Sequence, residues 1–268
     1  MATYLDRILE RHREVAAADI RSLDELIVRA TNHSQPRRPF AASLRAAAGK
    51  GELAVISEIK RRSPSKGALN AELDPATLAC AYATGGAAAV SVLTDVEFFG
   101  GSVPDLQIAR ASSGLPVLRK DFTVGPRDVC DAVLMGADCV LLIAAALTRE
   151  ELISLHELAR QVGIEVLVEI HDEAELEGAL EAGALMVGVN QRDLITFEVD
   201  HRRAIRMASA IPDHVVKVAE SGVRGANDAR ELQRAGYHAV LVGETLVTSP
   251  DPERLLRELR GVSAEPSG

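Results

Sequence analysis

Several short apolar runs of this sequence end in residues that can move protons. Leu53 to Lys60 closes on Glu58 and Lys60, Pro116 to Phe122 contains Lys120, and Glu165 to Ile170 contains Glu169. A further run, Met186 to Asn190, ends in an amide and is followed by Gln191 and Arg192. Two carboxylates and two amines gathered in a partly dry pocket shift one another's pKa values and can divide acid and base roles. The scarcity of lysine sharpens the point: the chain has 30 Lys and Arg together, of which only Lys50, Lys60, Lys66, Lys120 and Lys217 are lysine. Arginine does not release its proton in a protein, whereas burial tunes lysine, so a lysine kept in an apolar run is a candidate for proton transfer. The competing reading is a set of buried ion pairs that only stabilises the ends of strands.

The elements that must position these groups follow from hydrophobic periodicity. Eight short runs rich in Val, Ile, Leu and Ala read as strands buried on both faces: Leu53 to Lys60, Ala88 to Leu93, Pro116 to Phe122, Cys139 to Ala144, Glu165 to Ile170, Met186 to Asn190, Val215 to Glu220 and Ala239 to Val242. Stretches with helical spacing separate them, several stopped by a glycine such as Gly136, Gly163, Gly183 or Gly236. Eight βα units without a GxGxxG turn after the first predict a closed (β/α)8 TIM barrel over residues 51–261, a single large α/β domain. Residues 1–50, with helical stretches Leu5 to Ala18 and Leu23 to Ala30 around a polar break at Asn32 to Arg38, predict a helical extension packed on the barrel, and 262–268 a flexible tail.

In such a barrel the chemistry lies at the carboxyl ends of the strands. Side chains two apart share a face of a strand. Glu58 and Lys60, Lys120 and Phe122, and Asn190 and Arg192 therefore point in pairs, and inward parity would bring them into one mouth with Glu169. Ser221-Gly222 after strand seven and Gly243-Glu244 after strand eight stand where barrels commonly hold a phosphate on backbone N–H groups.

Composition limits the partners. A net charge of -9 without a long basic block argues against nucleic acid or an anionic membrane surface, and leaves a small molecule as the expected ligand. Cys80, Cys130 and Cys139 lack metal or disulfide spacing and read as small buried hydrophobes, while the seven histidines read as surface or loop residues without ligand spacing. No metal and no cofactor is expected. The start of the chain shows no secretory pattern, so a cytoplasmic location is expected.

The ordered runs Glu58-Ile59-Lys60-Arg61-Arg62-Ser63-Pro64-Ser65, Ser91-Val92-Leu93-Thr94-Asp95 with Phe98-Phe99-Gly100-Gly101-Ser102, Leu118-Arg119-Lys120-Asp121-Phe122, Leu167-Val168-Glu169-Ile170-His171, Val189-Asn190-Gln191-Arg192-Asp193-Leu194 and Ala219-Glu220-Ser221-Gly222 resemble those of indole-3-glycerol-phosphate synthases. The resemblance implies a lyase of tryptophan biosynthesis that closes, decarboxylates and dehydrates 1-(o-carboxyphenylamino)-1-deoxyribulose 5-phosphate without a cofactor. It implies that Lys120 is the general acid, that Glu169 is its acid/base partner, and that Glu58 and Asn190 position and stabilise the cationic intermediate. Lys60, as an anion-binding lysine for phosphate or carboxylate, and Ser221, at the start of a phosphate grip continued by Gly222, Gly243 and Glu244, join this catalytic set. Ser63 and Arg192 are implied on the carboxylate side, and Phe99 and Phe122 as walls around the anthranilate ring, with Leu141 also among the substrate-binding residues. Arg62 stands where some members carry lysine. A phosphoribosylanthranilate isomerase is the nearest rival and resembles a cysteine base at the end of strand one with an aspartate partner, where this chain has Glu58 and Asn190. A non-catalytic phosphate-binding barrel would lack the inner lysine and carboxylates.

Overall fold

A computed structural model describes residues 3–63, 67–70, 72–193 and 195–262. Pro64, Ser65 and Leu194 of the sequence motifs, Lys66, and the tail beyond Val262 lie outside the described residues. Eight parallel strands close into a barrel in chain order: β1 (Ala54–Ile59), β2 (Ala89–Leu93), β3 (Val117–Lys120), β4 (Cys139–Ile143), β5 (Glu165–Ile170), β6 (Met186–Asn190), β7 (Val216–Glu220) and β8 (Ala239–Val242), with β8 pairing back onto β1. The expected TIM barrel is the fold observed.

Alternate residues of each strand fill the barrel. Ile56, Leu118, Leu141, Leu167, Met186, Val218 and Leu241 form an inner cluster, while Val55, Val90, Val140, Val168 and Val187 pack outward against the helices. This register fixes the inward parity, so the next inward positions at the carboxyl ends are Glu58, Lys120, Glu169, Asn190 and Glu220. Around the barrel run α4 (Pro75–Thr84), α5 (Val103–Ser113), α6 (Pro126–Met135), α7 (Arg149–Val162), α8 (Glu173–Glu181), α9 (Arg203–Met207), α10 (Ala226–Arg234), α11 (Glu244–Val247) and α12 (Pro252–Leu259), with α1 (Tyr4–Ala18), α2 (Leu23–Thr31) and α3 (Phe40–Ala48) in the extension. Local chemistry sets their ends. Thr148 and Glu151 form a reciprocal cap at the start of α7, and Gly163 ends it in the left-handed conformation.

The extension reaches both ends of the barrel. Helix α3 was not anticipated, because its alanine-rich sequence has little polar alternation. It inserts Phe40 and Leu44, both fully buried, among Ala54, Cys139, Met186, Val216 and Ala239 at the starts of the strands, and so plugs the bottom. Pro39 offers its first turn no side-chain cap; instead the Glu165 carboxylate accepts from the Phe40 and Ala41 N–H groups at 2.9 and 2.8 Å. Burying a side chain such as Phe40 is worth roughly 1.5–3 kcal/mol. Helix α2 packs on α6 and α7, and α1 lies at the opposite, carboxyl rim.

Other expectations need correction. Cys130 and Cys139 are buried, but Cys80 is exposed on α4, where helical periodicity turns its position outward. The helix expected over His201 to Ala210 is shorter, Arg203–Met207. Arg62–Ser63 and Gly67–Ala68 pair as a short antiparallel ribbon beyond β1. No described helix is long and apolar enough to cross a membrane.

Candidate active site

The inward carboxyl-end positions open into a cavity of about 400 Å³ at the mouth. Every candidate named from the sequence lines it: Glu58, Lys60 and Ser63 from β1 and beyond, Phe99 after β2, Lys120 and Phe122 at β3, Leu141 on β4, Glu169 on β5, Asn190 and Arg192 at β6, Ser221 and Gly222 after β7, and Gly243 and Glu244 after β8.

Lys120 is the centre of the charge arrangement. Its ammonium lies 2.9 Å from Glu169 Oε2 and 3.5 Å from Glu220 Oε2. Burial opposes its charge, but the carboxylates of Glu169, Glu220 and Glu58 outweigh that cost and leave the lysine pKa raised. Glu169 is lowered: burial alone would raise it, but the charges of Lys120 and His171 and hydrogen bonds from Lys120 and Asn190 prevail. The Asn190 amide donates to Glu169 Oε1 at 2.9 Å. Glu220 shifts the other way. Burial, reinforced by the charges of Glu169 and Glu58 and opposed by Lys120, raises its carboxyl above the ordinary value, and its Oε1 has no hydrogen-bond partner. Two carboxyls beside one ammonium thus lie on opposite sides of their ordinary pKa, the pattern that separates proton donor from proton acceptor.

A second pair flanks the first: Lys60 Nζ donates to Glu58 Oε1 at 2.6 Å. Space for it is made by Gly243, where a Cβ would lie 2.4 Å from Glu58 Oε1 and 3.2 Å from Lys60 Nζ. Across the mouth, Ser221 and Gly222 adopt successive left-handed conformations, φ 65° and 73°. For serine this is strained. The turn is held by Gln191, whose Nε2 donates to the Ser221 carbonyl at 2.9 Å, and a Cβ at Gly222 would strike Val199 at 2.4 Å. On the aromatic side Phe99 and Phe122 lie 6.1 Å apart between ring centroids.

Sequence reasoning missed the roles of five residues. Glu220 ends the expected seventh strand and leads into the phosphate loop, but no role is assigned to its side chain, although the two-residue parity applied to the first, third and sixth strands turns it inward with Val216 and Val218. Asp95, which closes the Ser91–Asp95 motif but has no role assigned there, and Phe197, from a loop without a signal, also line the cavity. His12 and His171, expected at the surface or in loops, have side chains only 19% and 14% exposed; His12 on α1 contacts Asp95 and Asp121 at the rim. Among the described residues these three are the one group close enough to share a cation. Their oxygens are already engaged: Asp95 accepts from His12, Phe98 and Phe99, and Asp121 from Thr94, Arg119 and Phe122. The donor set is therefore complete without an ion.

A sequence profile of the family described as "Indole-3-glycerol phosphate synthase" matches residues 5–259. Proteins of that name from Streptomyces griseus and Kineococcus radiotolerans are each 49% identical to the chain, over 98% and 99% of it and 97% of their own lengths. The chain belongs to that family. The indole-3-glycerol phosphate synthase from Parafrankia sp. is 51% identical over 80% of both chains. More distant solved structures share the fold alone: 3-hexulose-6-phosphate synthase from Salmonella typhimurium (TM-score 0.62, 15% identity, 78% of this chain and 98% of that one) and thiamine phosphate pyrophosphorylase from Pyrococcus furiosus (TM-score 0.57, 16% identity, 78% and 94%). Membership of the synthase family removes the isomerase alternative, consistent with Glu58 rather than a cysteine at the end of β1.

Proposed function

We infer that the chain converts 1-(o-carboxyphenylamino)-1-deoxyribulose 5-phosphate to indole-3-glycerol phosphate, CO2 and water. The observation that carries the reading is Lys120 held between Glu169 and Glu220 at the base of a cavity with apolar rings on one side and glycine-rich backbone on the other.

The ketose oxygen sits at Lys120 Nζ. The ring carbon bearing the carboxylate attacks the carbonyl carbon, and the oxygen takes a proton from Lys120 as it becomes an alcohol. A raised lysine pKa brings the ammonium closer to that of the nascent hydroxyl, which suits transfer as charge develops rather than before. Attack leaves the ring cationic, a charge that Glu58 and Glu169 stabilise. Loss of CO2 returns its bonding pair to the ring and restores aromaticity, so the substrate is its own electron sink. Dehydration then needs an acid for the departing hydroxyl and a base for the proton lost as indole forms; Lys120 and Glu169, 2.9 Å apart, supply these between them. Phe99, Phe122 and Leu141 enclose the aromatic end, Arg192 and Ser63 receive its carboxylate, and Lys60 contacts an anionic end of the substrate. The backbone of Ser221, Gly222, Gly243 and Glu244 grips the phosphate.

The test is turnover of this substrate followed by indole fluorescence, with Lys120→Ala beside the native chain. The variant should keep substrate binding and lose about 10²- to 10⁴-fold in kcat, the usual contribution of a positioned general acid. Native, folded protein that leaves the substrate unchanged would sink the proposal.

A further inference from the structure

Helix α1 crosses the rim above the aromatic side of the cavity. Tyr4 meets the rings of Phe98 and Phe197 edge-on at 6.0 and 5.7 Å. Further along the helix, Arg11 bonds to Glu97 and Arg13 to Glu151 and the Ala146 carbonyl. The central contact is His12. Its Nε2 is 3.1 Å from Asp95 Oδ2 and 3.9 Å from Asp121 Oδ1, and its ring lies 5.4 Å from that of Phe122.

Both carboxylates also hold backbone. Asp95 Oδ1 accepts from the N–H groups of Phe98 and Phe99 at 2.5 and 3.0 Å, and Asp121 Oδ1 accepts from the Phe122 N–H at 2.9 Å. One imidazole thus joins the two aspartates that fix the turns carrying Phe99 and Phe122. Burial opposes a charge on His12, but the hydrogen bond to Asp95 and the charges of Asp121, Asp95 and Asp128 raise its pKa on balance, which favours the imidazolium as the joining group.

We propose that His12 is a positioning residue for the aromatic end of the substrate: a clip between Asp95 and Asp121 that sets the separation of Phe99 and Phe122 and makes α1 part of the binding pocket. This deepens the proposed function and rests on its aromatic substrate. His12 does not line the cavity itself, so it acts through the two rings. The glycine-rich backbone that takes the phosphate follows β7 and β8, across the barrel from β3, and is independent of the clip.

The experiment compares His12→Leu, which keeps helix propensity and bulk, with His12→Gln, which restores a donor near the Nε2 position. In steady state His12→Leu should raise KM about tenfold with kcat within about twofold, the signature of lost ground-state and transition-state binding alike. His12→Gln should recover most of the loss, and competitive inhibition by inorganic phosphate should be the same in all three proteins. Hydrogen exchange supplies a readout that needs no turnover: the amides of Phe98, Phe99 and Phe122 should exchange faster in His12→Leu than in the native chain or His12→Gln. Unchanged exchange at these amides overturns the clip whether or not the substrate is turned over, as does a fall in kcat at constant KM. A native chain that shows the clip in exchange but no turnover places the failure in the proposed reaction instead.

Discussion

Gly188 on β6 offers a sharp test of how the proton-transfer set is seated. Its φ is outside the left-handed region, so the backbone does not demand glycine there. Space does: a Cβ at this position would lie 2.0 Å from Glu220 Oε1 and 3.0 Å from its carboxyl carbon. To reach an ordinary contact of about 3.4 Å from the 2.0 Å overlap in Gly188→Ala the carboxylate must retreat by about 1.4 Å, more than the ~1 Å misplacement that already costs about 10²-fold in rate. Stability should change little, because alanine gains roughly 0.5–1 kcal/mol of strand propensity over glycine and the overlap falls on the end of a side chain. The expected enzyme is therefore folded, melts within a few degrees of the native protein, and turns over about a hundredfold more slowly at saturating substrate. Indole fluorescence gives kcat and calorimetry gives Tm. Native kcat at native Tm would refute the reasoning, showing that Glu220 takes no part in the chemistry from the position it occupies; a large fall in Tm would show instead that the carboxyl cannot retreat.

Asn190→Ala removes the amide that holds Glu169 Oε1 at 2.9 Å; hydrogen bonds to charged groups are worth about 1.5–3 kcal/mol, so kcat/KM should fall about 10- to 100-fold in steady-state assays. Asp138→Ala leaves Arg110, whose side chain is 8% exposed, without its 2.9 Å partner, and strips an acceptor from the Arg38 and Val117 N–H groups; a loss of about 3–5 kcal/mol in urea titrations is expected, as for other broken buried pairs. Glu220 imposes a pH dependence on stability. Its carboxyl is raised in the folded chain, so between the ordinary value of 4.5 and the raised one the folded state holds a proton that the unfolded state has released, and this contribution is fullest at low pH and is lost as pH rises. Urea midpoints of Glu220→Gln should decline less than those of the native chain from about pH 5 to pH 8. Glu169, lowered in the folded state, contributes in the opposite sense, its stabilisation being lost as pH falls through its depressed value.

Much of the site was legible because barrel geometry is periodic. Once eight strands were counted, parity placed Glu58, Lys120, Glu169 and Asn190 in a common mouth, and the glycines after β7 and β8 marked the backbone opposite. Glu220, the last residue of the seventh strand, obeys the same parity, but the turn chemistry of its neighbours Ser221 and Gly222 left its side chain without a role. Helix α3 was hidden for a different reason: Phe40 and Leu44 face the open bottom of a barrel, a surface that exists only after the strands close, so no local alternation announces it. His12 depends on where a whole helix docks. Nothing in its own neighbourhood distinguishes it from a solvated residue of a charged amphipathic helix.

The path of the first 48 residues, from α1 at the mouth through α2 on the flank to α3 under the floor, bears on how the chain is made. These helices leave the ribosome before the barrel does, and their docking partners come later: Asp95 and Asp121 for α1, α6 and α7 for α2, and the starts of β4, β6, β7 and β8 for α3. The leading segment therefore cannot dock fully until the last strand has emerged, and its final seating coincides with closure of the barrel. Order of synthesis thus does not set order of assembly: a segment made before the barrel completes its docking only with the barrel's last strand.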